Sequence, residues 1–142
     1  MKTIILFSFF AVFLLLSACT KKIAQVTNGT EYTIKKIQKK NSWYIIYAEK
    51  KDTLYKIVSK TDNDIYRDYE KIKVGFGYNI DIHSQKDTSP IIGGVKLDPV
   101  GYTGCYQFDS ETNICLEPEK GIYDLYFASN LKGIYIVKQR RN

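Results

Sequence analysis

Residues 31–59 read EYTIKKIQKKNSWYIIYAEKKDTLYKIVS, and they decide the fold class. Three segments in this stretch, 31–38, 43–48 and 53–59, are rich in β-branched and aromatic residues, which favour strands. The short polar sequences KKNS and EKKD separate them and are typical of turns. Three strands joined by such turns predict an antiparallel meander. The middle segment, WYIIYA, is apolar throughout, so we expect a central strand that is buried on both faces.

The segment that follows the meander has a different period. In TDNDIYRDYEKI (61–72), Ile65, Tyr69 and Ile72 recur at the spacing of one helix face. Asp62 or Asn63 precedes them as a candidate N-cap. The sequence therefore predicts one short helix at this point.

Alternation of apolar and polar residues returns in IKVGFGYNIDIH (72–83). It predicts a long strand, which Gly75 and Gly77 would allow to bend. Further short strands are expected at PIIGGVKL (90–97), GCYQF (104–108), 122–128 and 133–137.

Together these segments predict a mainly β fold: a small antiparallel β-barrel or sandwich with one short helix. Three strands, a helix and two further strands are compatible with an OB-like barrel, an analogy of fold that fixes no function. The first 18 residues have the features of an export signal, described next, and without them 124 of the 142 residues are left. That length suits a single β-rich domain, which we place at residues 31–142.

The N-terminus has the composition of an export signal. Lys2 is followed by IILFSFFAVFLLL (4–16), thirteen residues that are apolar except for one serine. As a helix this run would be about 20 Å long, short of the roughly 30 Å of a bilayer core. A positive start, a short apolar core and small residues at its end indicate a cleaved secretory signal better than a membrane span.

The signal ends in Leu16-Ser17-Ala18-Cys19, which resembles the lipobox of bacterial lipoproteins. The resemblance implies that residues 1–18 are a signal peptide cleaved before Cys19 and that the Cys19 thiol carries a diacylglycerol. It also implies that residues 19–30 are a lipidated tether that anchors the chain to a membrane. The alternative is a plain secreted protein with a stray cysteine. The chain as a whole, including the ending YDLYFASNLKG, is similar in style to small Bacteroidota lipoproteins, a resemblance that assigns no functional residue.

The residues beside Cys19 predict where the anchor faces. In the lipoproteins of Gram-negative bacteria an aspartate after the cysteine marks retention in the inner membrane, and this chain has Thr20. Some Bacteroidota surface lipoproteins carry an acidic cluster there, whereas this chain has Lys21 and Lys22. We therefore expect an outer-membrane protein that faces the periplasm.

The chain is basic, with a formal net charge of +6 that falls to +5 when Lys2 is removed with the signal. Between residues 20 and 40 only Glu31 opposes six lysines: Lys21, Lys22, Lys35, Lys36, Lys39 and Lys40. This basic segment could lie against anionic lipid, or it could be a solvated face that protects a sheet edge. An exported protein is not expected to have a nucleic-acid partner.

With Cys19 acylated, two free cysteines are left in the mature chain, Cys105 and Cys115. In an oxidising compartment an even count favours one disulfide. The alternatives are a redox pair, which would more often be spaced C-x-x-C, and a zinc site, which needs further ligands. We expect no cofactor and no metal.

No set of residues converges on catalysis in this sequence. His83 beside Ser84 or Ser89 is a weak candidate for a hydrolase. The acidic residues of 109–119 are a weak candidate for calcium. Tyr102 and Tyr106, in a glycine-rich stretch, are candidate contacts for a small ligand or glycan. We therefore predict a non-enzymatic binding module whose partner is another envelope component, either a protein or a glycan, with a small-ligand or glycan-binding β-barrel as the alternative.

Overall fold

The computed structural model describes residues 31–64, 67–88, 91–96 and 104–138. The predicted meander is confirmed as β1 (Tyr32–Lys40), β2 (Trp43–Lys50) and β3 (Thr53–Lys60), each antiparallel to the next. The β2–β3 turn has two residues of positive φ, Lys51 at 48° and Asp52 at 60°. Two such residues match the twist of tight hairpins, which explains why a two-residue turn suffices here.

Further strands pair with both edges of the meander, and the resulting six-stranded sheet curls into a half-barrel. β5 (Gly77–Tyr78) pairs with β1, while β11 (Tyr126–Ala128) pairs parallel with β3 and antiparallel with β6 (Ile82–Ser84). Since β5 and β6 belong to one stretch of chain, residues 77–84 reach from one side of the sheet to the other. The fold is mainly β, as predicted.

Three smaller sheets complete the described structure. β4 (Tyr69–Lys71), β12 (Leu131–Lys132) and β13 (Tyr135–Val137) form one, in the order β12-β13-β4. The hairpins β7 (Ile91–Ile92)–β8 (Val95–Lys96) and β9 (Cys105–Gln107)–β10 (Asn113–Cys115) form the other two. The helical segments in the described ranges are 3-10 turns at Gln85–Thr88 and Pro118–Lys120. None of the helices among these residues has the length and apolarity needed to cross a membrane.

β2 is buried on both faces, as its sequence predicts. Ile46 and Ala48, both fully buried, lie in an inner cluster inside the curled sheet. Ile45 and Tyr47 alternate with them and lie in an outer cluster on the opposite face. The inner cluster comprises Tyr32, Ile34, Ile46, Ala48, Ile57, Ile72, Ile80, Leu131, Ile134 and Ile136. The outer cluster comprises Ile45, Tyr47, Val58, Tyr106, Ile114, Ile122 and Leu125.

The outer cluster is closed by the chain that follows β8. A disulfide joins Cys105 to Cys115, which are directly opposed on β9 and β10 with an S–S distance of 2.03 Å. This hairpin and residues 116–125 lay Tyr106, Ile114 and Leu125 against the face of β2 and β3. The predicted pairing of the two cysteines is therefore present, and it staples the layer that covers the sheet.

The predicted helix at 61–72 is wrong over the residues the structure describes. Residues 61–64 are not helical, 67–68 form a turn, and 69–71 are β4, which pairs with β13. Ile72 is buried in the inner cluster, and its amide donates to the Ile134 carbonyl at 2.9 Å. Tyr69 and Ile72, whose spacing suggested a helix face, instead lie in β4 and in the inner cluster. Tertiary contacts here outweigh the local preference for helix.

The predicted long strand at 72–83 is also wrong, because the chain turns at Val74 and Gly75. Gly75 has a φ of 87° and its amide donates to the Ile34 carbonyl at 2.8 Å. Val74 and Phe76, which the alternation places on the apolar face of that strand, are 55% and 52% exposed. The alternation of apolar and polar residues thus continues through a turn, and in that turn it does not indicate which side chains are buried.

Candidate functional site

The most distinctive surface is the outer side of β1. The amide of Ile34 donates to the Phe76 carbonyl at 3.0 Å, and its carbonyl accepts from Gly75. Beyond Ile34, no strand in the described part of the chain pairs with this side of β1. Four exposed lysines line this open stretch, and we call it the lysine edge: Lys35, Lys36, Lys39 and Lys40.

Two of these lysines rest on aromatic rings of β2. The Lys36 ammonium lies 5.8 Å from the Tyr47 ring centroid, and the Lys39 ammonium lies 5.9 Å from that of Tyr44. These side chains are opposite each other in the β1–β2 register. Neither lysine forms an ion pair with any described residue. Their charges are held in place yet remain available to an anion.

The other two lysines of the edge already have partners. Lys35 forms an exposed ion pair with Glu49 at 2.8 Å. The Lys40 ammonium donates to the Asn113 carbonyl at 2.7 Å. Lys36 and Lys39 are therefore the members of the lysine edge best placed to receive a partner.

The tip of the β1–β2 hairpin is fixed by the β9–β10 loop. The Trp43 indole N–H donates to Asp109 Oδ2 at 2.7 Å, and its ring packs on Phe108 with centroids 4.8 Å apart. The Asn41 side-chain amide donates to Thr112 Oγ1 at 2.9 Å. The hydrogen bond from Trp43 is the largest of several that lower the pKa of the Asp109 carboxyl. These contacts hold one end of the lysine edge against the disulfide hairpin.

A buried polar cluster joins Tyr47 of β2 and Lys56 of β3 to Glu117. Lys56, only 4% exposed, extends from β3 to donate to the Glu117 carboxylate and, at 2.7 Å, to the Cys115 carbonyl. The Tyr47 hydroxyl donates to the same carboxylate at 2.6 Å, and Lys120 bonds its other oxygen. One carboxylate thus connects β2, β3 and the segment after the disulfide.

The cluster shifts the acidity of its members in opposite directions. Burial would raise the pKa of Glu117, but hydrogen bonds from Lys120, Lys56 and Tyr47 outweigh it and lower that pKa to about 2. Burial, followed by the hydrogen bond to the Glu117 carboxylate, raises the pKa of Tyr47. Glu117 is therefore ionised and Tyr47 neutral at physiological pH, which suits a structural connection.

Of the predicted ligand contacts Tyr102 and Tyr106, the structure describes only Tyr106. Tyr106 was expected to be exposed, but it is only 3% exposed and belongs to the outer cluster. The short strand expected at 104–108 is present as β9, and the disulfide hairpin turns the Tyr106 ring onto the sheet. Tyr102 lies outside the described residues, as do Cys19 and the whole of 1–30.

The other candidate chemistries are also placed by the structure. His83 is on the surface, stacks on Phe127 with centroids 5.3 Å apart, and lies 3.6 Å from Asp81. Ser84 instead donates to Asp124; Ser89 is not among the described residues. The part of the chain that the structure describes contains no group of three or more His, Cys, Asp or Glu side chains placed to hold a metal. Among the acidic residues of 109–119, Asp109 accepts a hydrogen bond from Trp43, and Glu117 accepts hydrogen bonds from two lysines, Lys56 and Lys120.

Comparison with known proteins adds no relative. No protein-family model, no curated protein and no solved structure matches the chain. The function is therefore inferred from the residues and their geometry.

Sequence reasoning missed the cluster around Glu117. Lys56 and Glu117 are 61 residues apart, and neither belongs to a motif. One signal was present: in TLYKIVS, Lys56 falls in a segment that is apolar on both sides of it. A lysine inside a strand that packs on both faces must reach either solvent or a carboxylate.

Proposed function

We propose that this protein is a lipid-anchored lipoprotein of the bacterial cell envelope whose β domain is a non-enzymatic binding module. The observation that carries the proposal is the sequence Leu16-Ser17-Ala18-Cys19 at the end of a short apolar run. A signal of this form supplies both export and a site for acyl chains, which together give stable attachment to a bilayer.

The structure adds support from the position of the lysine edge in the chain. β1 begins at Tyr32, and the tether between Cys19 and Glu31 is eleven residues long. Fully extended, eleven residues span at most about 36 Å. The first lysine of the edge follows three residues after β1 begins. A protein anchored through Cys19 would therefore present this edge close to the membrane, where envelope partners lie.

Mass spectrometry of the native protein tests the anchor. Purified from membranes, the chain should begin at Cys19 and carry a diacylglyceryl group on its thiol. Cys19→Ser should leave an uncleaved precursor without lipid, while Cys115→Ser, a matched loss of a cysteine outside the signal, should keep the acylated terminus. An unmodified Cys19, or a different mature N-terminus, would overturn the proposal.

The choice of membrane has a separate test. We propose outer-membrane residence facing the periplasm, because Thr20 follows the cysteine and Lys21 and Lys22 replace an acidic cluster. In density-gradient fractions, wild-type protein should sediment with the outer membrane, and Thr20→Asp should move it to the inner membrane. Wild-type protein in the inner-membrane fraction would contradict this placement. Digestion of intact cells with protease should leave it intact if it faces the periplasm.

In-cell crosslinking tests the binding role. A photoreactive residue at Gln38, which is exposed on the lysine edge, should capture an envelope protein, whereas one at exposed Glu70 of β4 should not give the same product. Equal products from both positions, or none from Gln38, would count against a binding module that uses this edge.

A further inference from the structure

We propose that the lysine edge binds an extended acidic peptide segment, which adds to β1 as a further strand. This inference rests on the proposed function and names the class of partner. Its first basis is the backbone: from Lys35 to Lys40, no strand among the described residues pairs with the outer side of β1, the side opposite β2. Six residues match the usual length of a strand, and unpaired edge amides and carbonyls are the groups through which peptides join sheets.

The second basis is charge. Five of the six positions from 35 to 40 are exposed, and four of the five are lysines. Lysines on an edge normally prevent pairing with another sheet. Here they would repel a second copy of the same edge, while an acidic strand would gain cross-strand ion pairs. The lysines therefore select the partner by its charge.

The third basis is the placement of Lys36 and Lys39, neither of which forms an ion pair with a described residue. Lys36 lies over Tyr47, which belongs to the outer cluster, and Lys39 lies over Tyr44, which packs against the inner cluster. The two ammonium groups thus flank opposite faces of the sheet. A flat bilayer would contact only one face, whereas an added strand has side chains on both. This arrangement favours a peptide over a lipid surface.

The aromatic rings also limit the cost of binding. A free lysine loses rotamer freedom when a partner fixes it, and a side chain already resting on a ring loses less. The hairpin tip is fixed as well, through Trp43 and Asp109. The acceptor edge is therefore largely formed before a partner arrives.

The test uses the full lipidated chain in detergent and a labelled synthetic peptide of repeated Glu-Glu-Thr-Thr units, which places acids on both faces of a strand. Fluorescence anisotropy should show binding of this peptide and not of its Lys-Lys-Thr-Thr counterpart. N-methylation of every threonine amide, which removes donors while leaving the acids, should weaken binding at least about tenfold. In hydrogen exchange, amides within 35–40 should gain protection when the acidic peptide binds.

Variants of the protein complete the test. Charge reversal at both Lys36 and Lys39 to Glu should weaken binding at least about tenfold. The matched control, Lys71→Glu with Lys73→Glu, makes the same change of net charge at exposed positions outside β1 and should stay within about twofold of wild type. Circular dichroism should show that both variants fold.

Three outcomes would overturn the inference. Equal binding of the methylated peptide would show attraction by charge without strand addition. Equal loss in both double variants would show an effect of net charge alone. Lysine-edge-dependent binding to phosphatidylglycerol vesicles, without peptide binding, would assign the edge to lipid. None of these bears on the acylation of Cys19, so a failure here is distinct from a failure of the proposed anchor.

Discussion

Lys56 of β3 and Glu117 of the segment after the disulfide form an ion pair in which the lysine side chain is 5% exposed and the carboxylate 15%. The pair connects the sheet to the layer that covers it. Removing one partner of a buried pair leaves the other charge without compensation, which costs far more than the net value of the pair.

Glu117→Ala should lower the free energy of unfolding by about 3–5 kcal/mol, because Lys56 would keep its buried charge and lose its carboxylate. Urea unfolding followed by circular dichroism measures this change. The control is Glu119→Ala, at an exposed neighbour, which should stay within about 0.5 kcal/mol of wild type. Equal effects of the two substitutions would show that the ion pair contributes nothing particular.

The same carboxylate predicts an acid dependence of stability. The pKa of Glu117 is lowered from 4.5 to about 2 in the folded chain, so the unfolded state binds a proton more readily. Its contribution to stability is complete above the unfolded pKa and is lost as the pH falls through about 2.

Urea unfolding between pH 6 and pH 2 should therefore show a decline in stability that is shallower in Glu117→Gln. The glutamine side chain does not titrate, and it keeps the size of glutamate. Parallel curves for wild type and variant would contradict the depressed pKa of this carboxyl.

Replacement of both Cys105 and Cys115 by serine should cost about 2–3 kcal/mol, the value expected for a loop closed over this short separation. The loss of stability should differ between the parts of the fold. Hydrogen exchange should speed up in β9 and β10, which cover the outer cluster, and change little in β1 where it pairs with β2. Uniform acceleration would show that the two layers unfold as one unit.

Tyr106→Ala should cost about 3–5 kcal/mol, as large-to-small changes of buried aromatic residues do. Tyr123→Ala is the matched control, because Tyr123 is 64% exposed in residues 116–125, which belong to the same covering layer. It should lie within about 0.5 kcal/mol of wild type. Thermal unfolding of the two variants decides whether Tyr106 belongs to the core or to a surface.

The meander was predictable because its signals are local. Apolar segments of strand length, separated by short polar turns, leave few other arrangements, and the continuous apolar character of WYIIYA identified the central strand. The pairing of Cys105 with Cys115 followed from their even number and the expected compartment.

The remainder depends on contacts between distant residues. Ile72 fitted both a helix face and an alternating strand, and only its hydrogen bond to Ile134 and its place in the inner cluster show what it does. The outer side of β1 is open beyond Ile34 because residues 75–78 bond to β1 only as far as that residue. No local sequence pattern predicts this end point. The lysines of 35–40 were visible in the sequence, but their resting places on Tyr44 and Tyr47 were not.

The two-sided burial of β2 makes its alignment unusually hard to alter. Ile45 and Tyr47 point one way, and Ile46 and Ala48 point the other. Insertion of a single residue would exchange these sets, so that a tyrosine ring would have to fit the space of an alanine methyl group. Evolution could therefore lengthen or shorten the neighbouring loops, while this eight-residue strand would tolerate neither gain nor loss of a residue.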